Sequence, residues 1–290
     1  LFRMFIIPHG AAVCIAAKCE NCFFISRQND GFFSGLIVYI WKYNALYGIL
    51  SLSRLYKLYL AGERVMDIII INGSPRKNGA TAKILHKLEE NLLLHKDVAV
   101  EFVDISALNF TPCSGCCSCY KNGQCYLDDD AEKLSVRIGK ADGLIIGSPT
   151  YASNISGQLK QFIDRGHFVI EQLLHDKYAI SVATGENYGS KDTSKVLNKL
   201  LQYSGAVLSG KIVLNLPFNG SPQSVSIKKQ ISRLSEKFYA DIKTKRKPFL
   251  QSAIHKIIFS VGIKPFVKSK GATYQGVITK WRNSRILADE

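Results

Sequence analysis

Met66-Asp67-Ile68-Ile69-Ile70-Ile71-Asn72-Gly73-Ser74-Pro75-Arg76-Lys77-Asn78-Gly79-Ala80-Thr81 decides the fold. Ile68–Ile71 is continuously apolar, as expected of a short strand covered on both faces; a strand with one wet face would alternate. The turn at 73–79 enters a helical stretch, Thr81 to Leu94, with Ile84, Leu85, Leu88, Leu92 and Leu93 at helical spacing. Backbone N–H groups and the Ser74 and Thr81 hydroxyls can face an anion there. The helix start adds a favourable dipole, and Arg76 supplies a charged fork of donors. The turn lacks the Gly-Lys-Ser/Thr ending of a P-loop and is not G-x-G-x-x-G. A tight strand-to-helix turn without a ligand is the plain alternative.

Working outward, the same alternation repeats. Strands are expected at Val98–Val103, Gly143–Gly147, Tyr178–Ala183 and Val207–Asn215. Helices are expected at Asp128–Lys140, from about Ser156, at Asp192–Tyr203 and at Ser224–Lys243. Alternating strands and helices predict an α/β fold, a parallel sheet with helices on both faces. Five strands with an early glycine-rich turn suit a flavodoxin-like three-layer sandwich in the order 2-1-3-4-5, with a ligand at the carboxyl ends of the strands. That domain spans 66–244. Residues 245–290 start with the breaker Lys245-Arg246-Lys247-Pro248 and read as a basic tail, with an amphipathic helix at Leu250–Val261 and a loose end around Tyr274–Trp281.

Two more polar loops leave strand ends on the same side. Ser148-Pro149-Thr150-Tyr151-Ala152-Ser153-Asn154 follows the third strand; Pro149 stiffens it and Tyr151 can pack near a planar ring. Ala183-Thr184-Gly185-Glu186-Asn187-Tyr188-Gly189 follows the fourth, and its glycines allow close approach of backbone to a ligand. Three such loops at consecutive strand ends make one crevice, a stronger signal than any loop alone.

Five of the eight cysteines lie within thirteen residues. Cys113, Cys116, Cys119 and Cys125 read C-x2-C-x2-C-x5-C, a spacing that can wrap a four-iron cluster. Zinc is a competing occupant of four thiolates, and a reduced cysteine-rich loop is the plain alternative. Cys117 is surplus to the spacing. Bunched cysteines, rather than a spread disulfide framework, place the chain in a reducing compartment, the cytoplasm. His167 and His175 have no cysteine or acidic partner at ligand spacing and read as surface or packing residues. Asp164-Arg165 reads as a structural or subunit-contact pair, and Asp128–Asp130 as a helix start. No Ser-His-Asp or Cys-His hydrolase arrangement stands out.

The net charge of +15 is uneven: +4 over residues 1–65, +3 over 66–240 and +8 over 241–290. With a nearly balanced middle and no recognition motif, a nucleic-acid partner is not expected. Residues 1–65 lack steady periodicity. Phe32 to Leu52 is a marginal membrane-span candidate with the charge of Lys42 near its centre, so membrane association is not expected. Gly62-Glu63-Arg64 can be back-translated into a purine-rich ribosome-binding sequence just ahead of Met66. The expectation is therefore an N-terminal extension upstream of a true start at Met66, which lowers the weight of Cys19-x2-Cys22 inside it.

Gly73–Thr81, the cysteine motif, Ala141-Asp142-Gly143 leading to Gly147-Ser148-Pro149-Thr150-Tyr151, and Ser156-Gly157-Gln158-Leu159-Lys160-Gln161-Phe162-Ile163-Asp164-Arg165 together resemble the NADPH-dependent FMN reductase-like flavoproteins. Within them the iron–sulfur flavoproteins are most similar, over roughly residues 66–240. The resemblance implies FMN as cofactor, NAD(P)H as co-substrate and a homo-oligomer. It implies that Ser74, Arg76, Asn78 and Thr81 hold the FMN phosphate and that Pro149, Thr150, Tyr151 and Asn154 lie along its ribityl chain and ring, with Thr184 and Gly185 in the third loop. It also implies a 4Fe-4S cluster on Cys113, Cys116, Cys119 and Cys125. Ala80 departs from the family, which usually has Asn there. The expected activity is electron transfer between a donor or acceptor (NAD(P)H, a ferredoxin-like protein or a quinone), FMN and the cluster, with no side chain required as acid or base. The alternatives are a cluster-free NAD(P)H:quinone or flavin reductase and a non-catalytic FMN electron carrier.

Overall fold

A computed structural model of the chain describes residues 3–6, 12–15, 64–217 and 220–287. It divides into two units, Leu1–Leu52 and Ser53–Glu290. In the first, β1 (Arg3–Ile6) pairs antiparallel with β2 (Ala12–Ile15). The rest of the expected N-terminal extension up to residue 63, including Phe32–Leu52 and Cys19-x2-Cys22, lies outside the described residues.

In the second unit β3 (Met66–Asn72), β4 (Val98–Asp104), β5 (Gly143–Pro149), β6 (Tyr178–Gly185) and β7 (Val207–Asn215) form one parallel sheet in the order β4-β3-β5-β6-β7. Counted within the unit this is 2-1-3-4-5, the expected order. The helices are α1 (Ala80–Leu92), α2 (Ser118–Asn122), α3 (Asp130–Lys140), α4 (Gly157–Arg165), α5 (Ser190–Tyr203), α6 (Val225–Lys243), α7 (Phe249–Ile257), α8 (Lys264–Ser269) and α9 (Gln275–Asn283).

The two-residue period of a strand sends neighbouring isoleucines of β3 to opposite faces. Ile68 and Ile70 meet Ile84, Leu85, Leu88 and Leu92 of α1 and Phe238 and Ile242 of α6. Ile69 and Ile71 meet Leu134 and Ile138 of α3, Leu159 and Phe162 of α4, and Leu197 and Leu201 of α5. Both faces are dry, which is why the β3 sequence is apolar throughout; each fully buried Leu or Ile contributes about 1.5–3 kcal/mol. Side-chain caps start three of the helices: Asp129 for α3, Ser156 for α4 and Ser224 for α6. Among the described residues no helix is long and apolar enough to cross a membrane.

The C-terminal segment departs from expectation. The amphipathic helix expected at Leu250–Val261 is α7, continued by a π-helical stretch at Ile258–Ile263 into α8. The loose end expected around Tyr274–Trp281 is instead α9, and Trp281 is fully buried with Ile263, Val267 and Val277. Tyr120, Val169 and Ile170 complete that small core. Val277 and Trp281 are one helical turn apart, too short an apolar period to announce a helix when its partners lie so far away in sequence.

Candidate functional site

The carboxyl ends of β3, β5 and β6 lie side by side: Asn72 pairs with Gly147, and Pro149 with Thr184. The Gly73 N–H donates to the Gly147 carbonyl at 2.8 Å, and the Thr150 N–H to the Thr184 carbonyl at 2.6 Å. Ser156 donates from Oγ to the Gly73 carbonyl at 2.5 Å, so the α4 cap also pins the first loop. A side chain at Gly73 would place its Cβ 2.7 Å from Leu159 and 2.8 Å from the Gly147 carbonyl; only glycine lets the loop leave the strand here. The Thr81 and Thr184 hydroxyls meet at 2.7 Å. Ala152 and Ser153, at φ 49° and 61°, make a tight turn closed by reciprocal hydrogen bonds between Tyr151 and Asn154.

Ser74, Thr81, Pro149 and Thr184 are therefore buried in the floor of this crevice, with Thr150 and Gly185 half-buried at its edge and Arg76, Asn78, Tyr151 and Asn154 exposed around it. Two observations suit an anionic, hydroxyl-rich ligand. Gly79 precedes α1 with no side chain capping it among the described residues, leaving first-turn N–H groups for an anion. Thr150 Oγ1 is buried without a hydrogen-bond partner among them. These residues fit the phosphate and ribityl chain of FMN.

The cysteine loop leaves β4 through a short 3-10 turn, Ile105–Ala107. Cys113, Cys116 and Cys117 are exposed, Cys119 and Cys125 half-buried, and all five are free thiols. Left-handed backbone at Gly115, Cys117 and Gly123 folds the loop back on itself. The Gly115 N–H donates to Cys113 Sγ at 3.4 Å. Cys117 instead caps α2 and donates its thiol to the Gly115 carbonyl at 3.5 Å. Reduced thiols bunched in one short loop fit the larger span of a four-iron cluster; among the described residues the groups close enough for a single ion each hold just one of these cysteines.

Charged side chains from elsewhere back this loop. Arg165, the last residue of α4 and 2% exposed, donates to both carboxylate oxygens of Asp129 at 2.8 and 2.9 Å, to the Thr111 carbonyl and to Cys125 Sγ at 3.4 Å. Beyond it His167, in left-handed backbone at φ 57°, is almost fully enclosed. Its Nδ1 lies 2.9 Å from Glu171 and its Nε2 3.4 Å from Glu132. Cys119, His167 and Glu171 place ligand atoms within 4.8 Å of one another, and so do Cys125, Glu132 and His167. Burial alone would lower the pKa of His167, but Cys119, Glu132 and Glu171 reverse this and it is pushed up to about 12. Burial would raise Glu132 and Asp129, and the adjoining His167 and Arg165 cations hold both below the usual carboxylate range.

This corrects one reading of the sequence. His167 is not a surface or packing residue; Glu171, one of its acidic partners, lies four residues on, at ligand spacing, while Cys119, Cys125 and Glu132 come from segments 35 or more positions away. Asp164 and Arg165 are structural, as read from the sequence: Asp164 binds Lys160 at 2.6 Å, and Arg165 holds the cysteine loop. Glu132 and Lys280 carried no signal at all; the i,i+4 spacing of His167 and Glu171 is the one signal the sequence held. Asp129 is the helix start expected of it and the anchor of Arg165 as well.

A family model described as NADPH-dependent FMN reductase matches residues 66–239. An iron–sulfur flavoprotein of Clostridioides difficile is 38% identical over 226 residues, covering 77% of this chain and 100% of that protein. One of Methanocaldococcus jannaschii is 30% identical over 148 residues, 50% of this chain and 76% of that protein. One of Archaeoglobus fulgidus is 33% identical over 153 residues, 51% of this chain and 68% of that protein.

Proposed function

This chain belongs to the NADPH-dependent FMN reductase family, and from that premise we propose that it is an FMN-dependent oxidoreductase passing electrons between NAD(P)H or a carrier, FMN and a 4Fe-4S cluster on Cys113, Cys116, Cys119 and Cys125. FMN, when bound, exchanges electrons singly or in pairs, while a thiolate-held cluster takes one at a time. Ser74, Arg76, Asn78 and Thr81 bind the phosphate. Pro149, Thr150, Tyr151 and Asn154 border the ribityl chain and ring, and Thr184 and Gly185 bring backbone close to it. The protein supplies position and potential, and no side chain acts as acid or base.

The observation that carries this reading is α4. Its cap, Ser156, is hydrogen-bonded into the crevice at Gly73, and its last residue, Arg165, grips the cysteine loop at Asp129 and Cys125. Nine residues at 1.5 Å each span about 13 Å, so one rigid rod ties the two candidate centres. The reading includes a cytoplasmic homo-oligomer with a ferredoxin-like protein or quinone among its partners; light scattering tests the assembly.

The visible spectrum and iron content of anaerobically purified protein test the centres. Flavin absorption with about four irons per chain is expected. Cys119→Ser should lose iron, keep FMN and lose one-electron transfer to an external acceptor while still oxidising NAD(P)H. Zinc in place of iron would favour a cluster-free reductase, and bound FMN without NAD(P)H oxidation would favour a carrier.

A further inference from the structure

We infer that the charge relay Glu132–His167–Glu171–Lys280 backs Cys119 and Cys125 and sets the reduction potential of the group they hold, with His167 as its positioning residue; this rests on the cluster reading above. A single imidazole lies within 4.8 Å of both sulfurs, grouped with Cys119 and Glu171 on one side and with Cys125 and Glu132 on the other. The left-handed backbone at His167 is disfavoured for a residue with a Cβ and is held by the surrounding structure. Glu132 is 7% exposed, and its Oε2 makes no hydrogen bond among the described residues although it lies 3.4 Å from His167 Nε2. A buried carboxylate oxygen left this way is costly unless a cation stays beside it, so Glu132 and Glu171 together keep the ring oriented between them.

Lys280 closes the relay from the other end of the chain, 2.5 Å from Glu171 Oε2. It is delivered by α9, and Tyr274 just ahead of that helix stacks on Tyr120 of the cysteine loop, with centroids 4.8 Å apart. Glu132 and Glu171 are thus matched by His167 and Lys280, and the sulfurs face a cation rather than bare carboxylates. Positive charge beside ligating sulfurs favours the reduced, more negative state and raises the potential. With both ring nitrogens directed at carboxylates, His167 acts through the cysteines instead of replacing one.

The test compares anaerobically reconstituted full-length wild type, His167→Gln and Lys280→Met by iron content, FMN content and an EPR-monitored redox titration. Iron and FMN should stay at wild-type levels in both variants. In His167→Gln the one-electron equilibrium should shift about tenfold toward the oxidised state, a fall of about 59 mV. Lys280→Met, a change at a partly exposed side chain, should shift it in the same direction by less, and decides the matter alone where His167→Gln fails to fold. Wild-type midpoints in the variants overturn the inference. Loss of iron in His167→Gln with FMN retained also overturns it, making His167 a ligand. A wild type with no iron overturns the cluster reading and this inference with it.

Discussion

The crevice at the strand ends and the cysteine loop are built by opposite means. In the crevice, backbone bonds between neighbouring strands set the geometry, and short hydroxyl side chains such as Ser156 and Thr81 stitch the loops together. The cysteine loop has no ladder. Gly115, Cys117 and Gly123 bend it, and long charged side chains arriving from α4, the turn after it and α9 fix it from outside. A site made from strand ends inherits the stiffness of the sheet. A site made from side-chain charges depends on each of them, since removing one partner leaves the other buried and uncompensated.

The sharpest way to break this contrast is Arg165→Met. Asp129 would lose its bidentate partner and Thr111 its donor, and the expected cost is about 3 kcal/mol in chemical denaturation. FMN affinity should hardly change; a parallel loss would show that the two regions are one. Arg76→Ala is the converse. Removing a charge-assisted contact to phosphate should weaken FMN binding to the apoprotein by about 1.5–3 kcal/mol, roughly ten- to hundredfold, with iron content intact. Unchanged affinity in a fluorescence titration would remove Arg76 from the site.

Gly276→Ala probes the seam between the cysteine loop and α9. Its Cβ would sit 2.1 Å from the Gly123 backbone nitrogen, so the helix must back away, at about 1–3 kcal/mol. Hydrogen exchange should quicken in α2 and α9 and stay slow in β3 and β5. The smallest effect lies outside both regions. Burial lowers the pKa of His175 and His255; Asp176 opposes the shift in both, while Lys247 and Lys177 beside His175, and His175 beside His255, add to it. The unfolded chain then binds protons that the folded one does not as pH falls below about 6.5, and stability drops with falling pH. His255→Gln keeps an amide beside Gln172, 2.8 Å away in the parent, and should flatten the melting-temperature slope between pH 6.5 and 5.5. An unaltered slope would assign the acid sensitivity elsewhere.

The same contrast explains what the sequence made legible. The order of the sheet followed from Ile68–Ile71 and the strands after it, because dry strands must be apolar and the connecting helices must be amphipathic. The residues of the crevice followed because strand-end loops converge in any sheet of this order. Arg165, His167 and Lys280 did not, since the chemistry of each appears only once Asp129, Cys119 or Glu171 is folded against it. Local spacing is informative about backbone-built sites and silent about those assembled by long side chains. The helix around Trp281 was hidden for the same reason.

The contact of Gly276 with Gly123 also imposes an order on biosynthesis. A ribosome adding about 5–20 residues each second releases Cys125 roughly 8 to 30 s before Gly276. Through that interval the sheet can form, but the thiols wait without the helix that will close over Tyr120, and without Lys280. Any cluster delivered to the nascent chain meets a loop without its backing; one delivered afterwards meets Cys113 and Cys116 still exposed but Cys119 and Cys125 half-buried. Maturation factors, oxidants and competing metals therefore meet those two thiols most openly in a window set by the sequence between the cysteine loop and α9.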